Sequence, residues 1–237
     1  MMSVSVTNLL EKTARDSKAW DLPKLLTRSD AQVLSFLNAH AVTTSSRQTD
    51  FGVHLMESDW LLRDGIGIKM GLRIFGLGKT ENLNGTDLIT TILDQTRDRD
   101  LVIYGSSDET MARTRKKLQA AGHTNLVETA HGFHDDSVYV DRVVELKPQV
   151  VLLCMGMPRQ EILAGKLRNA GFEGLAICGG GWADFYSLVK PRAPLWMRKF
   201  GMEWIFRFML EPRRLGKRYT VDILVFFYVV AKARLRG

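Results

Sequence analysis

The sequence predicts an α/β fold, a Rossmann-like parallel sheet flanked by helices and followed by a basic amphipathic C-terminal appendage. Three observations predict it. From about residue 100 apolar runs alternate with amphipathic stretches, the runs are continuously apolar, and glycines (Gly105, Gly156 and residues 179–181) follow three of them. Strand and helix patterns in alternation build βαβ units and hence a parallel sheet. Continuous apolar runs suit strands covered on both faces. Glycines at strand ends let a ligand approach the backbone at the carboxyl edge of such a sheet.

The expected strands are 101–104, 126–130, 150–155 and 175–178, and the expected helices are 108–121, 136–146 and 159–170. In the first half, 40–43 and 60–63 read as short strands and 31–38 and 86–96 as helices, a smaller α/β portion packed against the sheet. The predicted organisation is a body over 1–190, with its smaller N-terminal portion to about 98 and its Rossmann-like portion over 99–190, then an appendage over 191–237. With 237 residues, 45% of them hydrophobic and 25% charged, the chain can bury a full core, which excludes wholesale disorder.

The net charge of +7 is concentrated at one end. Residues 190–237 hold 12 Lys/Arg against 3 Asp/Glu, whereas the preceding residues hold 21 against 23. A basic tail suits nucleic acid, an anionic membrane or substrate phosphates. Nine of the 21 aromatics lie in the same tail, among them Trp196, Trp204, Phe208, Tyr219 and Tyr228. Rings interleaved with cations suit a membrane interface, with rings at headgroup depth and cations on phosphates, and so favour the membrane over nucleic acid. The apolar stretch 223–231 is too short to cross a bilayer; it either lies in the interface or packs on the body. The first 20 residues lack the apolar run of a signal peptide, and Cys154 and Cys178 read as buried free thiols, so the expected location is cytoplasmic.

Several loops can carry chemistry. Asp64, in Arg63-Asp64-Gly65-Ile66-Gly67, stands after an apolar run, where a carboxylate can take a proton from a substrate hydroxyl, or where Asp and Gly simply make a turn. Gly156-Met157-Pro158-Arg159-Gln160-Glu161 starts a helix at the ligand edge, where free N–H groups favour an anion; an ordinary strand-to-helix turn has the same pattern. Residues 179–181 and Asp184 suit a backbone-lined nucleotide pocket with a carboxylate for sugar hydroxyls, or a tight turn capped by Asp184. Arg192, Arg207, Arg213, Arg214, Lys217 and Arg218 can neutralise a diphosphate, or form a solvated basic face. No Cys or His has metal-ligand spacing, and there is no P-loop, GxSxG elbow or dinucleotide fingerprint. No cofactor is expected.

In order, these segments resemble the WecG/TagA/CpsF family of bacterial glycosyltransferases. Residues 156–161 are similar to its GxPxQE, and Gly180-Gly181-Trp182-Ala183-Asp184-Phe185 to its GG-x-F-D-F segment. Arg192-Ala193-Pro194, Met202-Glu203-Trp204-Ile205-Phe206-Arg207 and Glu211-Pro212-Arg213-Arg214 with Lys217-Arg218-Tyr219 resemble its RAP, LEWxxR and EPxR…RY elements. Upstream, residues 64–67 resemble its DGxG, and Gly85-Thr86-Asp87-Leu88 its GxDL. The resemblance implies inverting, metal-independent transfer of N-acetylmannosamine, mannosaminuronic acid, glucuronic acid or a similar sugar. The donor would be a UDP-sugar and the acceptor a polyprenyl-diphosphate-linked saccharide, at the inner face of the cell membrane. It maps the general base to Asp64 and further catalytic roles to Gln160 and Thr43, with Thr44 the alternative to Thr43. Substrate contacts fall on Gly65, Gly67, Asp87, Gly156, Pro158, Glu161, Gly180, Gly181, Asp184, Arg192, Arg207, Arg214, Lys217 and Arg218. Homo-oligomerisation is left open. The chain departs from the pattern at Ser45 (for asparagine), at Asn82 (for arginine) and near Leu188 (for glycine).

Overall fold

The structure, a computed structural model, describes residues 4–236 apart from 29, 79, 82, 200 and 201; the side chains of residues 199, 214 and 236 also lie outside the described residues. Six strands, β1 (Gln32–Leu37), β2 (Trp60–Arg63), β3 (Leu101–Gly105), β4 (Leu126–Ala130), β5 (Val150–Cys154) and β6 (Leu175–Cys178), form one all-parallel sheet in the order β2-β1-β6-β5-β3-β4. The helices are α1 (Val6–Lys18), α2 (Leu22–Thr27), α3 (Ala39–Ser45), α4 (Thr49–Glu57), α5 (Gly65–Ile74), α6 (Gly85–Gln95) and α7 (Asp108–Ala120). They continue with α8 (Asp136–Leu146), α9 (Arg159–Asn169), α10 (Trp182–Tyr186), α11 (Leu195–Lys199), α12 (Glu203–Leu210), α13 (Pro212–Tyr219) and α14 (Val221–Arg236).

Both faces of the sheet are covered. Leu34, Ile103, Leu152 and Ile177 point into one core with Ile89 of α6 and Met111 of α7. Val33, Val102, Val151 and Ala176 point into the opposite core with Val143 of α8 and Leu163 of α9. The chain leaves β3 toward the β4 edge but leaves β5 toward β6, with α7 and α9 on opposite faces. Such a reversal opens a crevice beyond the carboxyl ends of the two strands, where ligands of open α/β sheets gather.

The second half matches the expected order of elements. In the first half two assignments are reversed: residues 31–38 hold strand β1, not a helix, and residues 40–43 lie in helix α3, not a strand. Val33, Phe36 and Leu37 fall at helical spacing, but the segment sits between two strands and buries both faces, Gln32 and Ser35 included. The β-branched residues at 42 and 43 are overridden by Asn38, whose side chain caps α3 by accepting from the Ala41 N–H at 3.0 Å. The strands of the first half therefore extend the sheet, with β1 paired to β6, rather than packing against it.

Of the two placements open to the stretch 223–231, the structure shows packing on the body. Phe226 and Val230 of α14 are fully buried among Leu9, Leu10, Ile68 and Leu72. Burying one such side chain stabilises by roughly 1.5–3 kcal/mol. The start of α14 is also gripped by polar groups: Asp222 lies 2.8 Å from His40 Nδ1 and 3.3 Å from the Arg47 guanidinium, and its backbone carbonyl accepts from Thr43 Oγ1 at 3.0 Å. Among the described residues no helix is long and apolar enough to cross a membrane.

Candidate active site

A cavity of about 360 Å³ opens at the carboxyl edge of the sheet, roofed by α12 and α13. That lies within the roughly 300–1,000 Å³ common to small-molecule sites. Asp64 and Gln160, 96 residues apart in the sequence, both line it. So do Gly156, the glycines 179–181, Asp184, Arg207 and Arg218.

Asp64 is put there by β2 and α5. It follows the last residue of the strand, donates its N–H to the Leu37 carbonyl at 2.9 Å, and stands at the N-cap of α5 without capping it through its side chain. The carboxylate is thus left for the cavity. Burial pushes its pKa up; Arg207 pulls it back down, Glu203 pushes up, and Arg218 and Arg63 pull down. A raised carboxylate is a better proton acceptor near neutral pH than one in water.

Arg207 is held by Glu203 one helical turn earlier, with Nε and Nη2 donating to Glu203 Oε1 at 3.2 and 2.6 Å. Glu203 Oε2 accepts from Asn84 Nδ2 at 3.2 Å, and the guanidinium lies 4.5 Å from the centre of the Phe185 ring. Burial alone would lower the Arg207 pKa, but Glu203 and Asp64 outweigh it, so the group keeps its charge. Lys190 also faces the cavity, 2.6 Å from Asp184 Oδ2 and 3.3 Å from Glu211; Asp184 Oδ1 accepts from Ser106 Oγ.

The two glycine loops are joined by one side chain. Gly156 and Gly180 have φ of +77° and +56°, left-handed values that carry the chain sharply off β5 and β6. Gln160 Oε1 accepts the N–H of Gly156 at 3.2 Å and of Gly180 at 2.8 Å, and Gln160 Nε2 donates to Glu161 Oε1 at 2.8 Å. Glu161 is 1% exposed, and burial pushes its pKa from 4.5 up to about 7. The unfolded chain ionises this group at lower pH than the folded protein does, so its contribution to stability is full below about 4.5 and is lost as pH rises toward about 7. Glu161→Gln should flatten that part of the stability profile, as measured by urea unfolding from pH 4 to 8.

Other expected site residues lie elsewhere. Thr43 is fully buried, its hydroxyl directed to the carbonyls of Ala39 and Asp222. Asp87 is exposed and ion-paired to Arg192, which fastens α6 to the segment after α10. Gly67 allows α5 to approach α3, since a Cβ there would stand 3.0 Å from the Ala39 Cβ. Gly65, Pro158, Glu161 and Lys217 do not line the cavity, and the Arg214 side chain lies outside the described residues. Asn38, Asn84, Phe133 and Lys190 line it without having been singled out. Phe133 carries the clearest signal, an apolar ring in a polar Gly-His-Asp loop that stays 77% exposed at the cavity rim. Among the described residues no cluster of His, Cys, Asp and Glu is arranged to hold a metal ion.

A protein of Bacillus spizizenii named N-acetylglucosaminyldiphosphoundecaprenol N-acetyl-beta-D-mannosaminyltransferase is 28% identical over 177 residues, covering 70% of this chain and 66% of that protein. Proteins of the same name from Bacillus subtilis and Staphylococcus aureus are 24% and 26% identical, covering 80% and 75% of this chain and 75% and 71% of theirs. The chain thus spans about two thirds to three quarters of the length of these relatives. The model of the glycosyl transferase WecG/TagA/CpsF family matches residues 8–237, nearly the whole sequence, and the chain belongs to that family.

Proposed function

We propose that this glycosyltransferase moves a sugar from a UDP-sugar to a polyprenyl-diphosphate-linked saccharide, with inversion, at the inner face of the membrane. The observation that carries the proposal is the convergence on one cavity of a carboxylate with a raised pKa, two glycine loops and two arginines. Asp64 takes the proton of the acceptor hydroxyl as its oxygen attacks the anomeric carbon. The bond from that carbon to the UDP oxygen breaks on the opposite face. Arg207 and Arg218 meet the charge that develops on the diphosphate, and the loop that leads into α9 lies beside it. Phe133 offers its exposed ring to the nucleobase. The relatives' names make N-acetylmannosamine and N-acetylglucosaminyl-diphospho-undecaprenol the first donor sugar and acceptor to try.

Membrane contact is proposed for residues 191–237. Leu195, Trp196, Met209, Leu224, Tyr228 and Leu235 are exposed there, in a segment rich in Lys and Arg. Rings and aliphatic groups among cations suit an anionic surface.

The test is UDP release from a panel of UDP-sugars, with and without polyprenyl-diphosphate-linked N-acetylglucosamine in anionic vesicles. Release should require both substrates and should persist in EDTA, because cations of the chain itself face the leaving group. Equal release without acceptor would make the protein a hydrolase instead.

A further inference from the structure

We propose, resting on the nucleotide reading of the cavity, that Glu161 is a positioning residue that fixes the orientation of the Gln160 amide, and through it the two glycine loops that meet the donor diphosphate. A glutamine amide presents an oxygen and an NH₂ group of nearly equal size, and only its hydrogen-bond partners decide which way it faces. Here the partners discriminate fully. The N–H groups of Gly156 and Gly180 both point at the oxygen, and Glu161 Oε1 accepts from the nitrogen. Turned over, the amide would set NH₂ against two N–H donors and, when Glu161 is ionised, oxygen against the carboxylate oxygen.

Gln160 and Glu161 are 2% and 1% exposed, so neither side chain is freely solvated. The other carboxylate oxygen, Oε2, is buried and has no hydrogen-bond partner among the described residues. A half-satisfied buried carboxylate is unfavourable for the fold itself. Its place beside Gln160 is accounted for by the acceptor it supplies. Glu161 does not line the cavity, whereas Gln160, Gly156 and Gly180 all do, so its influence on a ligand passes through the amide.

The experiment compares Glu161→Met, which keeps bulk but removes the acceptor, with Glu161→Gln, which keeps an acceptor oxygen. Each is made in the full chain, alone and with Gln160→Met. UDP affinity is read by calorimetry, and hydrogen exchange at the Gly156 and Gly180 amides is read without ligand. Glu161→Met should weaken UDP binding about tenfold, the scale of one lost buried hydrogen bond. It should speed exchange at both glycines and raise KM for the donor more than it lowers kcat. Glu161→Gln should stay within about twofold of the unmodified chain in each measurement. In the Gln160→Met background, Glu161→Met should change neither UDP affinity nor exchange further. Unchanged exchange and affinity in Glu161→Met, or an equal loss in the Gln160→Met background, would overturn the proposal. Faster exchange together with no UDP binding by the unmodified chain would support the amide's orientation by Glu161 and overturn the nucleotide reading alone.

Discussion

Asp64→Asn should lower turnover by about 10²–10⁴, the usual contribution of a positioned general base. UDP affinity should be unchanged or tighter, because the change removes a negative charge from the wall of the cavity proposed to take the diphosphate. Asn is close in size to Asp, and the Asp64 N–H bond to Leu37 belongs to the backbone, so the fold should persist. For the unmodified chain, kcat/KM should fall as pH drops through the Asp64 pKa. Burial places that acidic limb above the range of an ordinary carboxylate. A steady-state profile from pH 4 to 9, with UDP affinity measured on the same preparations, checks both statements.

Arg207→Met should lower kcat by about 10²–10³, as does removal of one charge-stabilising donor from other active sites. It should also move the acidic limb. Arg207 is the strongest of the groups that hold the Asp64 pKa down, so its loss should shift the limb to higher pH. Arg207→Lys should retain the limb better than it retains kcat, since a lysine restores charge but not the forked contact with Glu203. A limb that stayed in place would mean that Arg207 and Asp64 do not interact during turnover.

The parts of this molecule legible in the sequence are those whose signal is local. The strands β3 to β6 are short apolar runs ending in small residues, and their covered position in the sheet is what makes them apolar throughout. Residues 31–45 were not legible because local preference and tertiary demand conflict there. The strand carries buried Ser35, whose hydroxyl accepts from Ser58 Oγ at 2.8 Å, a partner 23 residues away. Only the Asn38 cap marked the helix that follows.

The site divides the same way. Asp64, Gly156 and the glycines 179–181 stand at strand ends, which sequence patterns locate. Glu203 stands one turn before Arg207 on α12, but Asn84 comes from a separate segment and reaches Glu203 only when α12 folds over the cavity. Phe226 could not be told from an interfacial residue, because nothing in its neighbours reveals that α1 and α5 receive it.

The account depends on a single displacement at the anomeric carbon, driven by a hydroxyl whose proton goes to Asp64. The most direct measurement is the configuration of the new glycosidic bond relative to that of the UDP-sugar consumed, read from the one-bond C1–H1 coupling of the lipid-linked product. The account predicts the inverted anomer; the retained anomer would require a covalent or otherwise two-step transfer and would contradict the role given to Asp64.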